Sequence, residues 1–100
     1  MTASPYDTAW VAMVPHPSSH QDPCFDHCLD WILQNQHENG SWGNFNLGPS
    51  LLKDKLSSTL ACVLALKKWS CGEEHIKNGN FRISFVFLFS YIKQEITISH

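Results

Sequence analysis

An all-α fold is predicted by three features of the chain. Apolar residues recur every three or four positions in three separate segments. Helix start and stop signals bracket those segments, and the connections between them are short and rich in turn formers.

The first helix is expected to begin at Ser4-Pro5-Tyr6-Asp7. Serine is a favoured cap, proline suits the first helical position, and an acid three residues after the cap completes a capping-box-like arrangement. Asp7 there also faces the positive end of the helix dipole. Tyr6, Trp10 and Met13 follow at spacings of four and three, which predicts one apolar stripe. Pro15 and Pro17 stop the helix, and "HPSSHQDP" reads as a polar loop.

A second helix is predicted from Cys24 to Gln36, with Phe25, Cys28, Leu29 and Ile32 on one face and Asn39-Gly40 as the terminating turn. The third runs from Leu52 to Trp69. Its apolar set is Leu52, Leu56, Leu60, Val63, Leu64 and Trp69, with Ala61 and Ala65 beside it as good helix formers. Lys67 and Lys68 favour its carboxyl end, Gly72 closes it, and a fourth helix starts near Glu73.

At Gly79-Asn80 the character changes. "FRISFVFLFSYIKQEITISH" holds four phenylalanines and four isoleucines and no glycine, proline or alanine. Phe85, Phe87, Phe89 and Tyr91 alternate as in a strand, whereas Phe81, Phe85, Phe89 and Ile96 suit a helix. Such conflicting periods are expected of a segment unselected for folding, so the chain divides into residues 1–79 and a separate tail, 80–100. Gly-Asn can be encoded with an intron donor inside it, and a Phe-, Ile- and Ser-rich tail suits translated intron, so read-through from a retained intron or a truncated gene model is the expected origin.

Composition excludes more than it assigns. Apolar residues make up 43% and charged residues 16%, which argues against disorder. A net charge of −2 gives no reason to expect nucleic acid or an anionic membrane as partner. The strongly apolar run from Ile83 to Ile92 is about half the ~20 residues a membrane-spanning helix needs. "MTASPYDTAW" lacks the basic and apolar regions of a secretory signal, so the four cysteines are read as reduced and unpaired. His20, Cys24, His27 and Cys28 match no common zinc spacing, and a cysteine–histidine nucleophile pair would need a proximity that spacing does not give. The tryptophans and Tyr6, at helical spacing, are packing residues before they are carbocation stabilisers.

"WILQNQHENGSWG" carries the most information. Gln36, Gly40 and Trp42 form Q-x3-G-x-W at the end of an amphipathic helix. A glutamine amide there can bond exposed backbone at the helix terminus and stack on the indole, tying the helix end to the next turn. The segment resembles the QW motif of terpene cyclases. "SPYDTAWVAMVP", which contains Tyr6, Asp7 and Trp10, resembles a signature near the start of plant diterpene synthases. "LLKDKLSSTLACVLALKKWSCGEEHIKNG" is similar to the helices that follow in their ent-kaurene synthase branch.

The resemblance implies the amino-terminal helices of a partial α-α barrel of the terpene-cyclase type, with Tyr6, Asp7, Trp10, Gln36, Gly40 and Trp42 as structural motif residues. It implies a plastid parent enzyme that ionises a diterpenyl diphosphate, ent-copalyl diphosphate in the kaurene branch, with Mg²⁺ held by D-D-x-x-D carboxylates. The nine acidic residues of this chain form neither D-D-x-x-D nor D-x-D-D. No catalytic or metal-ligating residue is therefore expected, and no cofactor in this chain. The expected reading is a truncated synthase, inactive alone and dependent on missing synthase domains. The other readings are a non-enzymatic helical module that binds a full-length synthase, and a pseudogene product. No Ser/Arg-rich transit peptide precedes Thr2, so this chain as written is expected in the cytosol. Chains of this length are marginal in stability, and exposed Leu, Trp and Phe faces would seek a partner or aggregate.

Overall fold

The computed structural model describes residues 4–43 and 49–98, with side chains over 4–43 and 55–88. The chain runs α1 (Pro5–Ala12), β1 (Pro15–His16), β2 (Ser19–Pro23), α2 (Asp26–Gln34), α3 (Pro49–Lys68) and α4 (Glu73–Ile98). The core lies where α1, α2, α3 and the start of α4 meet, and Trp42 fills its centre. The expected placings of Leu52, Phe89, Tyr91 and Ile96 lie outside the described side chains.

In α1, Ser4 is extended at the cap and Pro5 opens the helix, but the Ser4 hydroxyl makes no capping hydrogen bond. The capping box expected with Asp7 is therefore not closed; the first helical bond is Thr8 N–H to the Ser4 carbonyl, 2.9 Å. The expected stripe is also corrected. Tyr6 and Trp10 face outward, Trp10 with 51% of its surface exposed, and the buried residues of α1 are Ala9 and Ala12. The reason is close approach. α1 lies against α3, where Ala61, Cys62 and Ala65 are buried, and only small side chains let two helix backbones come so near. Two long-range bonds fix the pairing. The Cys62 thiol lies 3.6 Å from the Pro5 carbonyl, and the Trp69 indole N–H donates to the Ala12 carbonyl at 2.6 Å. The second satisfies one of the carbonyls that every helix end leaves without an intrahelical partner.

The segment expected as a polar loop is instead an antiparallel hairpin, pairing Pro15 with Pro23 and His16 with Ser19. Proline cannot donate to a ladder and is tolerated only at edges and irregularities, which is where these lie. The Cys24 N–H extends the closure to the Val14 carbonyl, 2.9 Å.

α2 begins two residues later than expected and buries Cys28, Leu29 and Ile32; Phe25 sits at its cap with about a third of its surface exposed. In α3 the expected face holds in part: Val63 is buried and Trp69 packs against the core, but Leu60 and Leu64 are turned outward. Thr59, Cys62, Val63 and Leu66, spaced i, i+3, i+4, i+7, point into the core, while Leu60 keeps 48% of its surface exposed and Leu64 nearly as much. Leu60 lies about 200° around the helix from Cys62, so no rotation of α3 could bury both. The face that meets α1 is the one lined with alanine and cysteine.

Ser70 adopts a left-handed conformation (φ 52°) together with Gly72 (φ 68°), so the stop expected at Gly72 is shared. The Cys71 N–H reaches back to the Leu66 carbonyl at 3.1 Å, a bond typical of helix carboxyl termini. α4 then runs unbroken through Gly79-Asn80, so the conflict of periods resolves as helix. Ile76 and Ile83 pack on the core, whereas Phe81 (73% exposed), Phe85, Phe87 and Leu88 do not.

Candidate functional site

The residues that follow α2 form a dense hydrogen-bonded lock. Gln36 is half-buried, and its Nε2 donates to the Gly40 carbonyl at 3.0 Å and to the His75 carbonyl at 2.9 Å. One amide thus ties the turn after α2 to the first turn of α4. Gly40 must be glycine for two reasons. Its φ is +91°, and a Cβ there would overlap the carbonyl oxygen of Asn78. The turn itself closes through Gly40 N–H to the His37 carbonyl (2.9 Å) and His37 N–H to the Ser41 carbonyl (2.9 Å). The His37 ring donates from Nε2 to the Gly43 carbonyl.

Trp42 is wholly buried. Its indole N–H donates to the Ile32 carbonyl at 2.7 Å, in the last turn of α2. Its backbone N–H donates to Thr59 Oγ at 3.0 Å, and that hydroxyl donates in turn to the Lys55 carbonyl at 2.7 Å. The indole lies beneath α4, where Gly79 leaves room for it: a Cβ on Gly79 would stand 3.2 Å from the ring and 2.6 Å from a Val63 methyl. Among the described residues no buried side-chain nitrogen or oxygen lacks a partner.

Of the motif residues named from the sequence, the structure brings Gln36, Gly40 and Trp42 into one turn. Tyr6, Asp7 and Trp10 stand apart on the exposed side of α1, where the Tyr6 and Trp10 rings meet edge to face at 6.1 Å. Three participants went unnamed: Thr59, the His75 carbonyl and Gly79. Thr59 carried a readable signal, because a polar residue in register with Cys62, Val63 and Leu66 on a core face must find a buried partner.

The chemistry available is limited. Among the described residues no group of three or more His, Cys, Asp or Glu side chains is placed to hold a metal ion. All four thiols are free. Burial pushes Cys62 up to about 12 and raises Cys28. Cys71 is raised by burial first and by the Asp30 carboxylate second. A thiol held protonated is a poor nucleophile, so none of these three is an activated cysteine. What the arrangement does is join the turn at residues 36–42 to α2, α3 and α4 through backbone carbonyls and one threonine hydroxyl.

No protein-family model matches the chain. Ent-kaur-16-ene synthase, chloroplastic, of Oryza sativa subsp. japonica is 60% identical over 79 residues, covering 79% of this chain and 10% of that protein. Ent-13-epi-manoyl oxide synthase KSL2, chloroplastic, of Salvia miltiorrhiza is 54% identical over 97 residues, covering 97% of this chain and 12% of that protein. Among solved structures, abietadiene synthase from Abies grandis superposes with a TM-score of 0.74 at 38% identity, over 82% of this chain and 11% of that one. The chain therefore spans about a tenth of the length of the proteins it matches.

Proposed function

The chain is homologous to the plant diterpene synthases, and from that premise we propose that it is scaffold of such an enzyme and not its reaction centre. The observation that carries the proposal is the Gln36–Gly40–Trp42 lock. Its hydrogen bonds run from Gln36 and Trp42 to backbone carbonyls and to the Thr59 hydroxyl, all groups of the fold itself. In this reading the whole enzyme is of the ent-kaurene synthase type. It acts in a plastid on ent-copalyl diphosphate, and Mg²⁺ bound by carboxylates outside these residues assists departure of the diphosphate. Product identity is set elsewhere, because relatives named for different products match these residues at similar identity.

The test is a chimera. Residues 4–79 of this chain replace the homologous stretch of the Oryza sativa enzyme, and diterpene formation from ent-copalyl diphosphate with Mg²⁺ is measured beside the isolated chain. A scaffold role requires an active chimera and an inactive isolated chain. Diterpene product from the isolated chain would overturn the reading, and so would a chimera that folds but makes no product.

The exposed apolar side chains on α1, α3 and α4 favour a second reading, a helical module that docks onto a synthase. Co-purification of the chain with a full-length synthase supports it, and failure to bind sinks it. Residues 80–100 are, in the same proposal, a tail of separate origin joined at Gly79-Asn80. The alignment over 97 residues reaches into this tail. An exon reading continuously through those codons removes the separate-origin account.

A further inference from the structure

We propose that Asn39 is a site of spontaneous deamidation, activated by the fold of the lock itself. Asn39 is exposed, and the residue after it is Gly40, which is buried but carries no side chain to hinder attack by its backbone nitrogen. The side-chain oxygen of Asn39 accepts two hydrogen bonds from one residue. The Ser41 backbone N–H donates at 3.0 Å and the Ser41 hydroxyl at 2.6 Å. Two donors converge on the oxygen where negative charge develops when a nucleophile adds to the carboxamide carbon, which is the arrangement that stabilises acyl-transfer intermediates.

The step balances with water and hydroxide as the only co-reactants. Hydroxide takes the proton of Gly40 N–H, and the nitrogen attacks Cγ of Asn39. The Cγ–Nδ2 bond then breaks, and ammonia leaves with a proton drawn from water. The five-membered imide that results is opened by water at one of its two carbonyls, giving aspartate or its β-linked isomer. One water is consumed and one ammonia released, with no change of oxidation state. The opposing contacts are the bond from Gly40 N–H to the His37 carbonyl and the burial of Gly40 against α4, so the turn must open locally before the nitrogen can attack.

The chain contains its own comparator. Asn78-Gly79 has the same two residues in the same order, and both glycines are buried, but Gly79 lies inside α4, packed against Val63 and Trp42. Freeing its N–H requires disrupting a helix and a packed contact together. The β-linked product at position 39 would lengthen the backbone between Gln36 and Trp42 and loosen the lock.

The test incubates the whole chain at pH 8, natively and in urea, and follows both sites by peptide mass spectrometry and by labelling with an isoaspartyl methyltransferase. Native Asn39 is expected to react roughly tenfold or more faster than native Asn78, with the two rates converging in urea. Ser41→Ala, which deletes one donor to the oxygen, is expected to slow the native Asn39 reaction roughly tenfold and leave the urea rates unchanged. Equal native rates at the two sites would overturn the proposal. So would a Ser41→Ala chain whose Asn39 reacts as fast as the parent or faster.

Discussion

Gly79→Ala sets two well-characterised effects against each other. Glycine inside a helix costs about 0.5–1 kcal/mol relative to alanine, so propensity alone predicts that this change stabilises α4. Packing predicts the reverse. The new Cβ would sit 2.6 Å from a Val63 methyl and 3.2 Å from the Trp42 ring, and Val63 and Trp42 are both essentially inaccessible to solvent. Comfortable carbon–carbon contact is about 3.5–4.0 Å, so the methyl overlap must be relieved by moving buried groups. Overpacking of this kind costs about 1–3 kcal/mol. The difference leaves a net destabilisation of about 0–2.5 kcal/mol, so packing outweighs propensity over nearly all of that range. The assay is urea unfolding of the chain followed by circular dichroism. With a slope of about 1 kcal/mol per molar, the midpoint should fall by up to about 2.5 M. Asn80→Ala, one position on and exposed, gains propensity without overlap and should raise the midpoint slightly. In a Val63→Ala background the offending methyl is gone, and the same Gly79→Ala change should become neutral or stabilising. A rise in midpoint for Gly79→Ala in the parent chain would refute the account of Gly79 as a contact glycine.

Other expectations follow from the same bonds. Gln36→Ala leaves the His75 and Gly40 carbonyls without their donor and should cost about 1–3 kcal/mol in the same melt. Thr59→Val keeps the shape but removes the acceptor of the buried Trp42 N–H, with a loss of similar size. Leu60→Gln, on the exposed side of α3, should stay within about 0.5 kcal/mol of the parent. Cys62 gives a pH dependence whose sign is fixed by burial. Its folded value, about 12, lies above the ordinary thiol value of 9.0, so the unfolded chain releases the proton first. The contribution is complete below pH 9 and is lost between pH 9 and about 12. Cys62→Ala should flatten the stability profile across that window.

The sequence was most informative where structure is local. Gln36, Gly40 and Trp42 lie within seven residues, and the turn they form depends on an amide, a positive φ and an indole that the residue types announce. Their far partners were not announced. The His75 carbonyl is 39 residues from Gln36, and a backbone carbonyl leaves no mark on the residue that bears it. The face of α3 was misjudged in part, for a related reason. Hydrophobicity ranks leucine above alanine, threonine and cysteine, but α1 approaches closely enough that size decides which residues face it. Leu60 and Leu64 are consequently outside, with Ala61 and Ala65 inside. The hairpin at 15–23 escaped because Ser, His, Gln and Asp give no apolar alternation to read. The last helix was ambiguous because phenylalanine recurs at spacings of both two and four.

The bonds from α3 to α1 also bear on how the chain is made. Pro5 with Cys62, and Ala12 with Trp69, are each 57 residues apart. During synthesis at about 5–20 residues per second, α1 leaves the ribosome roughly 3–11 s before the helix that receives it has been translated. Throughout that interval it is an eight-residue helix segment, too short to hold helical structure in water by itself, with Ala9 and Ala12 lacking the α3 face that buries them. Its pairing with α3 therefore waits on residues made much later, and a nascent chain arrested before Trp69 lacks both long-range bonds that fix it.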